Sequence, residues 1–547
     1  MHSVMNLLRS IVSGFKSCIF LFVSCTLATS FVSHQALATK IFVYCSEASP
    51  SSFNPQLATD GTTYNASSGM IYNRLVEFKP GETTLISALA SEVPKASKDG
   101  MKYIFKLRKG VKFHTTPYFK PTRDFNADDV LFSFNRQRLK DHPFHKVGGG
   151  SYEYFDSMEM GIVIKDIKKI DDYTVEFDLS RPEAPFLANL AMDFASILSK
   201  EYADAMLKAG TPDKMDVLPI GTGPFIYKDY VKDNSIRYTA HPDYFRGKSP
   251  LETVVFAITP DASVRIQKLK TNECQFATEP SPADLATVKK DPNLKIMEQP
   301  GLNVAYLAMN VKKKPFDNLY VRQAINHALN RKSYIDAIYL GNAVVAKNPL
   351  PPTIWSYNKS IQDYDYNPEK AKELLKKAGL PNGFSVDLWA MPVSRPYNPN
   401  GKKMGEMMQA DLEKIGVHVK IVSFDWPTYL ARSKKGEHEL IQMGWTGDNG
   451  DPDNFLAVLL GCSGVEAGSN LANWCDKSFE KKIGDAKIIA DPKARTQLYL
   501  AAQKIFKEQA PWVTLAHSTV HRAMRKNVEG YKLDPFGKDS FYGVDLK

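Results

Sequence analysis

At 547 residues the chain is too long for one small module, and at about 150 residues per domain it has room for three or four. Apolar residues at 43% and charged residues at 24% fall in the ordinary globular range, which excludes a disordered, collagenous or multi-pass membrane protein. The formal charge of +10 arises from 70 basic against 60 acidic residues, but the signs alternate along the chain, as in Asp166-Ile167-Lys168-Lys169. Such alternation describes solvated faces, not a nucleic-acid groove, and no nucleic-acid partner is expected.

Residues 1–38 carry Arg9 and Lys16, no acid, and an apolar run from Cys18 through Thr26 towards Val32. This is the pattern of an export signal. The apolar stretch is about fifteen residues, short of the roughly twenty that a bilayer demands. Ala36-Leu37-Ala38 offers small residues to a signal peptidase, so cleavage is expected after Ala38, leaving a mature chain of charge +8 (10 minus Arg9 and Lys16). Lipidation at Cys25 is the alternative, although Phe22-Val23-Ser24-Cys25 is a poor lipobox. Export into an oxidising compartment makes the remaining Cys45, Cys274, Cys462 and Cys475 disulfide candidates. Spacing favours Cys462 with Cys475, a short loop worth about 3 kcal/mol of closure entropy. Cys45 would then pair with Cys274, which predicts a discontinuous domain. No C-x-x-C pair supports zinc.

In chain order, Ile41-Phe42-Val43-Tyr44 reads as the first mature strand, and Tyr103 to Arg108 alternates as a half-buried strand does. Asn126-Ala127-Asp128-Asp129 opens a helix with an Asn cap and first-turn acids. Gly148-Gly149-Gly150-Ser151 lacks the Gly-Lys-Ser/Thr of a phosphate loop and reads as a turn. Breaks at 219–224 and 298–301 suit domain boundaries or hinges. Asn367 to Gly379 has an N-cap, Pro at N1, apolar Ala371, Leu374, Leu375 and Ala378, and a terminal Gly. A strand (384–390), a helix (near 404–415) and two strands (417–424 and 439–445) follow, so about 302–518 is expected to form a self-contained α/β lobe. His517 and His521 could share a helix face, but without a third ligand they read as structural.

Catalytic signatures are missing: no G-x-S-x-G, Walker loop, G-x-G-x-x-G or H-E-x-x-H occurs. No enzyme activity and no cofactor is therefore expected. Two segments at strand ends stand out. Trp445-Thr446-Gly447-Asp448-Asn449-Gly450-Asp451-Pro452-Asp453-Asn454 gathers three carboxylates, but Gly450 breaks the register of a calcium loop. It is either a turn capped by aspartates or a ligand contact at the C-terminal end of a strand. Trp389 to Pro399 places Arg395 beside Pro396 and Tyr397, as a surface arginine or as a cation held in a pocket.

These two segments, with Tyr44-Cys45-Ser46-Glu47, Ser87 through His114, Arg181 through Leu187, Pro219 through Phe225 and Val321-Arg322-Gln323-Ala324, make the chain closely similar to the periplasmic oligopeptide, dipeptide and nickel solute-binding proteins of bacterial ABC importers. Ser394 through Pro399 and Gly444 through Asn454 resemble the dipeptide branch. The resemblance implies a two-lobed α/β periplasmic-binding-protein clamshell (type II, cluster C-like) with an additional α/β domain inserted in lobe one. Lobe one would comprise 39–72, 222–300 and 519–547, the additional domain 73–221 and lobe two 301–518. It implies that Asp448 receives a peptide α-ammonium and Arg395 its α-carboxylate, with Thr59-Asp60-Gly61 as a third contact segment and Pro396, Tyr397, Trp445, Thr446 and Gly447 around them. The family usually has a tryptophan near Val93, where this chain departs from it.

The expected partners are a dipeptide, with haem, glutathione or a longer peptide as the alternative ligand, an inner-membrane ABC permease complex and a chemoreceptor, with the protein itself a periplasmic monomer. Two opposite charges about two residues apart, roughly 7 Å, demand a fixed anion and a fixed cation when water is removed. Arginine suits the carboxylate because its planar fork donates two parallel bonds.

Overall fold

The computed structural model describes residues 40–547; the export signal, its cleavage after Ala38 and the alternative lipid site at Cys25 lie outside the described residues. Strands β1 (Ile41–Ser46), β2 (Phe225–Val231), β3 (Ser235–Ala240), β4 (Thr253–Ile258), β5 (Phe276–Thr278), β6 (Leu294–Pro300), β7 (Asn303–Met309), β8 (Ala343–Val345), β9 (Phe384–Trp389), β10 (Val417–Val422), β11 (Leu440–Thr446) and β12 (Trp512–Arg525) build one mixed sheet. Its order is β10-β9-β11-β7-β12-β5-β1-β4-β3-β2, with β6 and β8 also paired to β12. β1 runs parallel to β4 and β5, and β9 runs parallel to β10 and β11. Two parallel groups thus lie within the same sheet, and each sends its C-terminal ends into loops, the usual place for a ligand in α/β architecture.

β12 joins the two groups. Its first part pairs with β7, where Ala308 faces Trp512, and its second with β6, where Pro300 faces Thr519 and Leu294 faces Arg525. Between β6 and β7 the chain turns at Gly301, where an added Cβ would lie 2.4 Å from the Ser518 carbonyl. The backbones approach too closely there for any side chain. Inside the segment 73–221, a smaller antiparallel sheet pairs Lys102–Lys106 and Ile164–Asp171 with Thr174–Leu179. Helices α1 (Gly61–Ala66), α2 (Ala127–Arg138), α3 (Glu153–Ser157), α4 (Pro368–Lys377), α5 (Gly401–Glu413) and α6 (Trp426–Lys434) include those that matter for the site.

The local chemistry accounts for these elements. Asn126 and Asp129 form a reciprocal capping box on α2. Asn367 accepts from the Lys370 N–H at 3.0 Å and Pro368 begins α4, while Gly379 leaves it with φ of 80°. The strands expected at 384–390, 417–424 and 439–445 occur as β9, β10 and β11. The helix expected near 404–415 begins earlier, at Gly401, because Asn400 caps the Lys403 N–H. Gly148 to Gly150 all have positive φ and make a turn, and the Ala127 to Phe134 stretch is helical as its cap implies.

Both disulfides have the expected pairing: Cys45 with Cys274 and Cys462 with Cys475. The first ties β1 to the start of β5 across 229 residues of sequence. The pair of histidines departs from expectation. His517 and His521 lie on strand β12, not on a helix; both are buried, and the His517 Nδ1 lies 2.8 Å from the Asn303 carbonyl. Val93, where the family tryptophan is missing, is half-buried against the core. No helix among the described residues is long and apolar enough to cross a membrane.

Candidate binding cleft

Four loops from the C-terminal ends of parallel strands meet at one cavity. Glu47 follows β1, Glu279 follows β5, Arg395 lies beyond β9, and Asp448 lies beyond β11; all four line one cavity. Thr59, Asp60, Gly61, Pro396, Tyr397, Trp445 and Thr446 line it too. Gly447 does not. Its N–H donates to the Leu302 carbonyl at 2.8 Å, and an added Cβ would meet the Phe455 ring at 2.6 Å, so this glycine shapes the loop behind the wall.

The Asp448 loop is organised by Asn454, whose Oδ1 accepts both the Asp448 N–H at 2.9 Å and the Trp445 Nε1–H at 3.0 Å. The three carboxylates suspected together have separate tasks. Asp451 accepts the Asp453 N–H and pairs with Arg495 at 2.9 Å, and Asp453 is buried 3.8 Å from the Lys487 ammonium. Only Asp448 faces the cavity. The Tyr154 hydroxyl, from α3, donates to its Oδ2, and the Lys538 ammonium lies 3.6 Å from its Oδ1. Burial pushes its carboxyl up to about 6, with Asp193 adding to the rise, while Lys538 and Tyr154 oppose it.

Arg395 is fixed by a tight turn in which its N–H and carbonyl both bond Asn398, each at 3.0 Å. Tyr397 then packs directly over β11 at Gly444, where an added Cβ would lie 2.1 Å from the ring. The guanidinium lies 4.7 Å over Trp426 of α6. Its Nη1 donates to Glu47 at 2.5 Å and its Nη2 to Thr62 of α1 at 2.9 Å. Burial opposes the charge on Glu47, but Arg395 and the Thr62 hydroxyl overcome it and hold the carboxyl below its ordinary range. Two N–H donors of Arg395 are engaged here, out of the five that a guanidinium carries.

The third segment caps α1. The Asp60 carboxylate accepts the Thr63 N–H at 3.0 Å, and the Thr59 hydroxyl lies 3.4 Å from Glu153. Glu153 in turn pairs with Lys434 of α6 at 2.5 Å. Glu279 has the left-handed φ of 46° that costs a non-glycine residue, and pairs with Arg522 at 2.9 Å. Burial raises its carboxyl to about 7. Sequence reasoning missed Glu47, Glu153, Glu279, Lys434 and Lys538. The available signal was position: Glu47 and Glu279 each follow the last residue of a parallel strand. Among the described residues no cluster of His, Cys, Asp and Glu is arranged to hold a metal.

With this geometry established, comparison with known proteins is informative. Residues 84–467 match the model of "Bacterial extracellular solute-binding proteins, family 5 Middle". The chain is 57% identical to the dipeptide-binding protein of Escherichia coli over 94% of this chain and 96% of that one, and 50% identical to haem-binding protein A of Haemophilus influenzae over 94% and 93%. Among solved structures, a dipeptide-binding protein from Pseudoalteromonas in complex with Met-Leu superposes with a TM-score of 0.91 at 42% identity, covering 93% of this chain and 100% of that one. An ABC-transporter-associated periplasmic binding protein from Helicobacter pylori, in complex with a four-residue peptide, gives 0.89 at 41% over 92% and 98%.

Proposed function

The chain belongs to family 5 of the bacterial extracellular solute-binding proteins, and from that premise we propose that it captures dipeptides by their two free termini and hands them to an ABC permease. The observation that carries this reading is the placement of one buried carboxylate, Asp448, and one buried guanidinium, Arg395, on the wall of a single cavity. Solved and curated relatives that bind dipeptides support it.

The α-ammonium goes to Asp448 and the α-carboxylate to the unengaged N–H groups of Arg395. Glu47 and Thr62 hold the guanidinium in register, and Trp426 covers its face. A third residue would carry the carboxylate about 3.5 Å further from its anchor, so peptide length is read by charge separation. Residues 39–72, 222–300 and 519–547 act as one lobe, 73–221 as an additional domain and 301–518 as the second lobe, with the hinge at the turn by Gly301 and the crossing of β12. A ligand bound between the lobes favours closure by its difference in affinity for the two forms, and closure is the signal that the permease reads in the periplasm.

Calorimetry with the mature protein tests this. Asp448→Ala or Arg395→Ala weakens dipeptide binding by about 2–5 kcal/mol, because each leaves a buried charge unpaired, and N-acetylated or C-amidated dipeptides bind far more weakly than free ones. Near-native affinity in either variant, or equal affinity for blocked and free peptides, refutes the assignment. The second reading, haem, draws on the 50% identity to haem-binding protein A. The cavity wall offers Tyr64, Tyr306, Tyr397 and Met443 but, among the described residues, no histidine. Failure of haem to displace a labelled dipeptide removes it as a ligand of this cleft.

A further inference from the structure

Five acids line the cleft, and four of them have a cation of the protein within 3.6 Å: Glu47 pairs with Arg395, Glu153 with Lys434, Glu279 with Arg522 and Asp448 with Lys538. Asp60 has none among the described residues. The residue is only 7% exposed, and its carboxylate accepts from two neutral groups, the Thr63 N–H at 3.0 Å and the Ser51 hydroxyl at 3.2 Å. A carboxylate has about four acceptor sites, so others are free. Capping α1 does not call for the charge, since Asn and Ser cap as well as Asp, and a helix end offsets only about half an elementary charge. Asp60 does act on the facing wall. Burial works against the charge on Lys434, Glu153 overcomes it, and Asp60 adds to that effect. Asp60, Glu153 and Lys434 thus make a group of two anions and one cation on the cleft.

We propose that Asp60 is an acidic specificity subsite and that this protein prefers dipeptides with a lysine or arginine side chain, whose cation balances the group formed by Asp60, Glu153 and Lys434. The inference rests on the assignment of the peptide termini to Asp448 and Arg395. Those two anchors use up the charges that every dipeptide carries. An uncharged side chain then leaves this part of the wall with one negative charge in excess, an acidic side chain makes it two, and a basic one removes it. Enclosing an ionised carboxylate without a cation is costly, and a ligand cation beside Asp60 recovers part of that cost. Lys434 is committed elsewhere, being held by Glu153 at 2.5 Å, so the free acceptor positions of Asp60 fall to the ligand. The discrimination is by charge, and it is separate from the reading of peptide length by the two termini.

The test is calorimetry of the mature protein with Ala-Lys, Lys-Ala and the same two peptides carrying norleucine in place of lysine, in wild type, Asp60→Asn and Asp60→Ser. Norleucine keeps the length of the lysine chain and lacks its charge. Both substitutions preserve a capping side chain on α1, and the use of two different caps keeps the test intact where one variant fails to fold. Wild type should bind at least one of the lysine dipeptides about tenfold more tightly than its norleucine counterpart, the low end of the coupling between close charges across an interface. In the variants that ratio should fall to about one, whatever happens to the absolute affinities, because the ratio isolates the pair from other effects of the substitution. A wild-type ratio at or below one in both positions overturns the inference, and so does a lysine preference that survives in the variants. If wild type binds N-acetyl-Ala-Lys as well as Ala-Lys, the assignment of the peptide termini itself has failed; if it rejects the blocked peptide yet shows no lysine preference, only the role of Asp60 has.

Discussion

Glu47 shows best how a single residue prepares this cleft. Its carboxylate sits at the end of β1 and accepts from Arg395 at 2.5 Å and from Thr62 at 2.5 Å, so the buried guanidinium is neutralised from within the protein. Glu47→Gln keeps the shape and removes the charge. The empty variant is expected to lose about 3–5 kcal/mol of stability, since an uncompensated cation stays buried. A dipeptide should then stabilise the variant more than it does wild type, because its carboxylate restores the missing anion. Chemical denaturation with and without ligand measures both, and an equal ligand increment in the two proteins would show that the carboxylate goes elsewhere. The pH dependence has a definite sign. Glu47 is held below its ordinary value, so its contribution to stability is present above the unfolded carboxyl range, about 4.3, and is lost as the pH falls through the lower folded value. Asp448, pushed up to about 6, acts with the opposite sign, its burial weakening the empty protein as the pH rises from about 4 to 6. The positions of Asp448 and Arg395 on the cavity wall are legible in the sequence because each sits in a recognisable segment. Glu47 lies 348 residues from Arg395, and Lys538 faces an aspartate 345 residues away; a lone charge after a strand or in a terminal loop carries no local mark of such a partner.

Among the elements, those with a strong local code were legible. α4 carries its cap, its Pro and its terminal Gly within thirteen consecutive residues, 367–379, and β9, β10 and β11 are short runs bounded by turns and helices. Asn367→Ala should lower stability by about 1 kcal/mol through loss of the bond to the Lys370 N–H, with dipeptide affinity unchanged because α4 does not border the cleft. Thermal unfolding and calorimetry on one preparation check both halves; altered affinity would mean that α4 is coupled to the site. β12 was not legible as one element. Nearly every residue from Trp512 to Met524 is buried, so the alternation that betrays a half-buried strand is missing, as it is for strands covered on both faces. With no Pro or Gly to punctuate it, the sequence also hides that residues 518 and 519 lie in mid-strand. The two histidines followed the same logic: a four-residue spacing fits a helix face and, equally, one face of a strand.

For the whole molecule, the ion pairs of the cleft connect stretches of chain assigned to different lobes. Glu47 meets Arg395, Glu153 meets Lys434, and Lys538 stands between Asp193 and Asp448. The Glu47–Arg395, Glu153–Lys434 and Lys538–Asp448 contacts join parts that the proposed hinge would separate and would be rehydrated on opening, whereas Lys538 and Asp193 lie on the same side of it. In the proposed clamshell, opening would exchange these desolvated contacts for hydrated ions, and a ligand would shift the balance by its difference in affinity for the two forms. A saturating dipeptide should accordingly reduce the radius of gyration measured by small-angle scattering. Arg395→Ala, which loses the contact to Glu47 and the proposed carboxylate anchor, should be more extended without ligand and should contract little at the same peptide concentration. An unchanged radius for wild type on adding peptide would mean that the hinge at β12 does not open in solution, and capture would then have to occur through a permanently closed entrance.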